Sequence, residues 1–264
     1  MSLKIIIINI FILFLFLYVL FGLYLFYNQK SMIYFPDSQD FDSCSGFADY
    51  LKINQNGTRV YYKQGLADKA IIFYHGNAGS ACDRSYLRQI FEQSNASLLF
   101  VEFAGYSNDN KKPSQKLIFE DVRNVARFVN ENSFKEVLVY GESIGSGAAS
   151  YHASIGKVDS LILVSPFSSL DDVAQIAYAI YPAKIILREK YDNIKWLKGF
   201  EGGILILHGD NDSVIPNRFS RKLFEKMPSA KKEYVLVEGF GHNDIWDSSL
   251  FRDKVIDFIS RPRH

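Results

Sequence analysis

The chain has 264 residues, 48% of them hydrophobic, with 30 Lys and Arg against 29 Asp and Glu and a formal net charge of +1. A balance this even, with no basic or acidic block, removes the electrostatic case for a nucleic-acid partner. Two cysteines, Cys44 and Cys82, exclude a disulfide-dense scaffold and a four-cysteine zinc site, and leave open whether the two pair.

From Ile5 to Phe26 the chain is uncharged and interrupted only by Asn9, Gly22 and two tyrosines. As a helix rising ~1.5 Å per residue, this segment covers roughly 33 Å, enough for a bilayer core. A buried helix this apolar on every side would need a much larger protein around it. A cleaved signal peptide would have an apolar core of about 7–15 residues ending at small residues, and Tyr24-Leu25-Phe26-Tyr27-Asn28-Gln29-Lys30 offers no such site. Residues 1–30 are therefore expected to be an uncleaved membrane anchor, with Tyr18, Tyr24 and Tyr27 seating its ends at the interface. Lys4 and Lys30 flank it; the expected orientation has a cytoplasmic N-terminus and the catalytic domain on the non-cytoplasmic side. Residues 31–45 read as a juxtamembrane linker, irregular from Met32 to Cys44.

Residues 46–264 have the pattern of one α/β domain. Phe47–Ile53 and Arg59–Lys63, split by Asn56-Gly57, predict a hairpin with a type I′ turn. Lys69–Tyr74, Ser97–Phe103, Glu136–Tyr140, Val158–Val164, Gly203–Leu207 and Glu233–Val237 are short apolar runs, as expected of strands buried on both faces of a parallel sheet. Helices are predicted over Asp83–Ser94, Pro113–Asn130, Ser143–Ile155, Pro216–Lys226 and Asp247–Ser260. This alternation gives βαβ units, a mostly parallel central sheet with helices on both faces. Nearly forty residues separate Val164 from Gly203, where one crossover helix would be enough. Two short helices, Ser168–Tyr181 and Pro182–Tyr191, are expected in this insertion at about 166–200. It either caps the carboxyl edge of the sheet as a lid or only thickens the crossover.

Gly141-Glu142-Ser143-Ile144-Gly145 follows the run Val137-Leu138-Val139-Tyr140 and precedes a small-residue helical segment. Strand, Gly-x-Ser-x-Gly, helix is the setting in which a serine sits exposed on a strained turn. A serine hydroxyl needs a base oriented by a carboxylate, in the chain order Ser, acid, His. Of His75, His152, His208, His242 and His264, only His242 and His264 follow every candidate acid. His242 lies in a loop after the last strand, where it can swing over the sheet edge. In the loop after Gly203–Leu207, Asp212 is the expected acid and Asp210 a brace of the turn. Backbone N–H groups of Ile144 and of Asn77, in His75-Gly76-Asn77-Ala78-Gly79-Ser80, are the expected oxyanion donors. His75 and His208 are then structural braces.

These four motifs, His75-Gly76-Asn77-Ala78-Gly79, Gly141-Glu142-Ser143-Ile144-Gly145-Ser146-Gly147, His208-Gly209-Asp210-Asn211-Asp212 and Gly241-His242, together resemble the α/β-hydrolase superfamily over about Lys69 to Asp247. More narrowly they resemble its small membrane-tethered, domain-containing serine hydrolases. The resemblance implies the α/β-hydrolase fold, Ser143 as nucleophile, Asp212 as acid, His242 as base, and esters or thioesters, of lipids or acylated molecules, as substrates without cofactor or metal. Glu102-Phe103-Ala104-Gly105-Tyr106-Ser107-Asn108 departs from the Gly-Tyr-Gly turn of many relatives, which bears on pocket shape. A membrane-anchored serine hydrolase of esters or thioesters, acyl lipids or acylated proteins among them, is the expectation. A peptidase or amidase on the same triad, and a membrane-bound interaction protein without activity, are the alternatives.

Overall fold

The computed structural model describes residues 2–261; His264 lies outside them. Helix α1 runs from Leu3 to Ile33, past the polar residues that would end a membrane segment by composition. Its last turns hold because Gln29 is satisfied: Oε1 accepts the Arg188 N–H at 2.6 Å and Nε2 donates to the Ile186 carbonyl at 3.4 Å. The stretch after it is less irregular than expected. Phe35–Pro36 pairs in parallel with Ala78–Gly79, and Cys44 is disulfide-bonded to Cys82 with Cα atoms 6.0 Å apart.

Ser45–Phe47 forms a 3₁₀ turn where the sequence suggests the start of a strand. The turn aims Phe47 inward, against Tyr61 and Phe100 at ring-centroid distances of 4.4 and 4.8 Å. Strand β1 (Leu51–Gln55) then makes a hairpin with β2 (Thr58–Lys63). Asn56 at φ 53° and Gly57 at φ 91° are both left-handed, as a type I′ turn requires.

Next come β3 (Lys69–Tyr74), a 3₁₀ segment running into α2 (Arg88–Glu92), β4 (Ser97–Glu102) and α3 (Gln115–Glu131). Ser114 caps α3 by accepting the Leu117 N–H, one of the donors a helix start leaves unpaired. They are followed by β5 (Glu136–Glu142), α4 (Gly145–Ile155) and β6 (Ser160–Val164). The insertion holds three short helices, α5 (Leu170–Ala177), α6 (Ala183–Ile186) and α7 (Asn193–Trp196). The chain closes with β7 (Gly203–Gly209), α8 (Arg218–Lys226), β8 (Lys232–Val237) and α9 (Ser249–Ser260).

The strands form one sheet in the order β8-β7-β6-β5-β3-β4-β2-β1. β3 to β8 are parallel, and β2 and β1 are antiparallel additions at one edge. Side chains alternate across it. Ile72, Val139, Ile118, Val122, Ala148 and Leu223 belong to the core under α3, α4 and α8. Ile71, Phe73, Leu138, Phe91, Phe251 and Val255 belong to the core under α2 and α9. This is the expected fold class. Because β3 leads towards β4 and β5 towards β6, their carboxyl ends diverge as neighbours, the place where open α/β sheets bind ligands.

Candidate active site

The site lies at that divergence. β5 ends at Glu142 and α4 starts at Gly145, so the chain reverses within two residues, and Ser143 takes φ 53°. The turn is possible only because its neighbours lack Cβ atoms. A Cβ on Gly141 would lie 2.4 Å from the Gly145 carbonyl oxygen, and one on Gly145 would lie 2.3 Å from that of Tyr74. Left-handed backbone at serine is a strained conformation of the kind concentrated at functional sites.

Asp212 follows β7 and His242 follows β8, and the structure brings both to Ser143. His242 Nε2 is 3.0 Å from Ser143 Oγ, and His242 Nδ1 is 2.7 Å from Asp212 Oδ2. Asp212 Oδ1 accepts the N–H groups of Val214 and Ile215 at 2.9 and 2.7 Å. Burial works against ionisation of Asp212. Hydrogen bonds from His208 and His242, the attraction exerted by His242 in its protonated form and the Ile215 N–H outweigh it and hold the carboxyl well below the usual carboxylate range. An ionised carboxylate only accepts, so His242 Nδ1 carries the proton and Nε2 presents its lone pair to the Ser143 hydroxyl. Asp210 is exposed and accepts the Gly239 N–H at 2.7 Å, which braces the loop that carries His242.

Ile144 and Asn77 line the same cavity as Ser143. Ile144 precedes the first turn of α4, whose N–H groups lack intrahelical acceptors and favour negative charge. The Asn77 carbonyl accepts the Phe35 N–H at 2.9 Å and the Tyr106 hydroxyl at 2.8 Å, while its Nδ2 donates to the Ile33 carbonyl at 2.9 Å. His75 is fully buried, with Nδ1 2.8 Å from the Gly76 carbonyl and Nε2 accepting the Phe103 N–H at 3.3 Å.

Two parts of the site are not apparent from sequence. His208 is more than a brace of its own loop, since Nε2 is 2.8 Å from the Ile215 carbonyl and also 3.1 Å from Asp212 Oδ2. The four-residue interval from His208 to Asp212, across a Gly turn, is the signal that could have suggested it. The second is the origin of the cavity wall. The cavity beside Ser143 encloses about 280 Å³. Phe167, Val173 and Leu187 from the insertion and Ile215 from the acid loop line it, but so do Leu25 and Met32 of α1. No carboxylate or ammonium group among the described residues lines it. Among the described residues no cluster of three or more His, Cys, Asp or Glu side chains could hold a metal ion.

The sheet order, the serine turn and the converging Asp and His loops are those of an α/β-hydrolase. Two family models match in succession, one described as an alpha/beta hydrolase of unknown function over residues 61–171 and one described as serine aminopeptidase, S33, over residues 174–248. An uncharacterized protein of Mycobacterium tuberculosis is 26% identical over 252 residues, 90% of this chain and 89% of that protein. Human alpha/beta hydrolase domain-containing protein 17C is 28% identical over 198 residues, 72% of this chain but 57% of that protein. A Pyrococcus furiosus esterase superposes with a TM-score of 0.66 at 15% identity, covering 87% of this chain and 97% of that one. A monoacylglycerol lipase of Paleococcus ferrophilus superposes with a TM-score of 0.57 at 13% identity, covering 76% and 98%. The chain belongs to the α/β-hydrolase superfamily.

Proposed function

We propose that the protein is a membrane-anchored serine hydrolase that cleaves carboxylic esters or thioesters through an acyl-enzyme. The observation that carries this is the hydrogen-bonded series Ser143, His242 and Asp212, at 3.0 and 2.7 Å, opening on an apolar cavity. His242 Nε2 takes the Ser143 proton as Oγ bonds to the acyl carbon, and Asp212 stabilises the resulting imidazolium. The oxyanion is held by the N–H groups of Asn77 and Ile144. As the intermediate collapses, the bond to the alcohol or thiol breaks and His242 gives that leaving group its proton. Water, deprotonated by the same imidazole, then releases the acid and restores Ser143. The insertion, which overlies the cavity, serves as its cap.

The disulfide between Cys44 and Cys82 supports a catalytic domain on the oxidising, non-cytoplasmic side, since such bonds persist outside the reducing cytosol. The apolar helix α1, with no acidic residue and little side-chain cover over its first half, supports membrane anchoring.

A fluorophosphonate probe tests the reaction class. The wild type labels covalently and Ser143→Ala does not; a folded wild type that fails to label overturns the proposal. The family model described as serine aminopeptidase favours a second reading, amide hydrolysis at a free N-terminus. Recognition of an α-ammonium group calls for a carboxylate near the acyl site, and the cavity lining has none. Comparison of p-nitrophenyl esters with amino-acyl anilides separates the two.

A further inference from the structure

The cavity beside Ser143 is closed on one side by α1, the helix read as the membrane span. Its contacting residues recur at helical spacing on one face. Tyr18 stacks on Tyr181 of the insertion with ring centroids 4.5 Å apart. The pair is locked both ways: the Tyr18 hydroxyl donates to the Ile180 carbonyl and the Tyr181 hydroxyl to the Tyr18 carbonyl, each at 2.9 Å. A Cβ on Gly22 would meet the Tyr181 ring at 3.1 Å, so the helix lies close against the insertion there. Leu25, Gln29, Met32 and Ile33 continue the face into the cavity wall.

Length shows where the bilayer ends. The helix has 31 residues, about 46 Å at 1.5 Å per residue, against a hydrocarbon thickness of about 30 Å. Counted from Ile5, the first residue after Lys4, roughly twenty residues take up that thickness, which places the boundary near Tyr24. The turn that stacks on Tyr181 is therefore at the membrane surface, and the turns beyond it form the cavity wall. The insertion exposes apolar side chains on the segment that follows this contact. Ile180, whose carbonyl takes the Tyr18 hydroxyl, is 74% exposed, and Ile185 is 79% exposed. Exposed isoleucines on a cap that is bonded to a membrane helix at the interface are accounted for by burial in lipid.

We propose that this cavity is the binding site for the acyl chain of a bilayer-resident lipid ester, admitted along the seam between α1 and the insertion, and that α1 sets the chain length accepted. This rests on the serine-hydrolase reading above and specifies its substrate. The chain enters from the bilayer beside the Tyr18–Tyr181 contact, not through it, and lies against Leu25, Met32 and Val173. The ester carbonyl then sits at Ser143, within reach of Ile144 and Asn77. The cavity carries no charge to hold a fatty acid or a polar acyl group, so discrimination comes from length and fit.

The test uses the full chain in phosphatidylcholine vesicles with acetyl, octanoyl and palmitoyl 4-methylumbelliferyl esters. Leu25→Trp fills the cavity from the helix side. Each methylene it excludes costs about fourfold in binding, so the palmitoyl-to-acetyl ratio of kcat/KM is expected to fall at least roughly tenfold. Leu25→Ala opens the same space and moves the ratio the other way, a direction that misfolding would not produce. Ile180→Asp with Ile185→Asp, outside the cavity, lowers the rate on palmitoyl ester embedded in vesicles relative to the same ester in detergent micelles. A palmitoyl-to-acetyl ratio unmoved by both Leu25 variants overturns the acyl site, as does palmitoyl hydrolysis confined to acylated peptide with none of lipid ester. Fluorophosphonate labelling of Ser143 in the same samples separates this failure from failure of the hydrolase itself: labelling present with the ratio unmoved overturns only the proposal made here.

Discussion

His208 Nε2 lies 3.1 Å from Asp212 Oδ2, the same oxygen that takes His242 Nδ1 at 2.7 Å. One carboxylate oxygen is thus held between two imidazoles from successive strand ends, while Oδ1 accepts two backbone N–H groups. All these contacts favour the charged carboxylate. A hydrogen bond to a charged group is worth about 1.5–3 kcal/mol. His208→Leu is therefore expected to lower kcat roughly ten- to hundredfold with little change in KM. His208→Gln, which keeps an N–H donor, should recover part of the loss. Steady-state kinetics on an acetyl ester distinguish this from general destabilisation, which lowers the amount of active enzyme but not kcat per labelled serine.

Asp212→Asn keeps the shape and removes the charge. The carboxamide can donate to His242 Nδ1, which turns the Nε2 proton towards Ser143 and leaves no base. The expected loss in kcat is about 10³- to 10⁴-fold, with the protein still folded by circular dichroism.

The serine turn has no room to relax. Gly145→Ala would place a methyl group against the backbone carbonyls of Tyr74 and His75, at 2.3 and 2.5 Å, and neither can rotate away as a side chain would. Destabilisation of about 3 kcal/mol or more is expected, read as a shifted denaturation midpoint, together with loss of probe labelling.

Sequence and structure agree where local chemistry decides the outcome. Ile71, Ile72 and Phe73 could only be a strand buried on both faces, and Asn56-Gly57 could only turn one way. The order serine, acid, histidine singled out Ser143, Asp212 and His242, and the chain brings those three side chains together. It was less legible where a distant partner decides. Gln29 and Lys30 read as the end of a membrane segment, yet α1 continues to Ile33 because the insertion, some 160 residues later, satisfies Gln29. Phe47 has strand propensity, but its place among Tyr61 and Phe100 calls for a tight turn. The pairing of Cys44 with Cys82 and the bond from His208 to Asp212 depend on loops whose approach no local pattern encodes.

The disulfide closes a loop of 38 residues in sequence separation. On the chain-entropy estimate a loop of that size stabilises by about 4 kcal/mol. Thiol reductant, or Cys44→Ser with Cys82→Ser, should lower the unfolding free energy by about that amount in detergent micelles, measured by denaturant titration.

His152 is fully buried against the Tyr74 hydroxyl at 2.9 Å, and burial lowers its pKa from 6.5 to about 4. Below pH 6.5 the unfolded chain binds a proton there that the folded chain refuses, so this group costs stability as pH falls from 6.5 towards 4. Asp121 acts in the opposite sense, its pKa raised to about 6 by burial despite bonds from the Ala104 N–H and the Thr58 hydroxyl. It gains stability as pH falls through 6. The two partly cancel in the wild type, and His152→Leu separates them. From pH 7 to pH 5 the stability of the wild type relative to this variant should drop by about 2 kcal/mol.

Asn77 is strapped to the end of α1, its side chain to the Ile33 carbonyl and its own carbonyl to the Phe35 N–H. In the anchored hydrolase proposed above, the strut that positions the oxyanion loop is also the leash that holds the protein at the bilayer. A protease cutting between Phe35 and Cys44 would free a domain with its sheet and disulfide intact but with the helix end free to pull away from Asn77. Shedding would then silence the enzyme rather than disperse it, and its chemistry would stay confined to the surface where it is tethered.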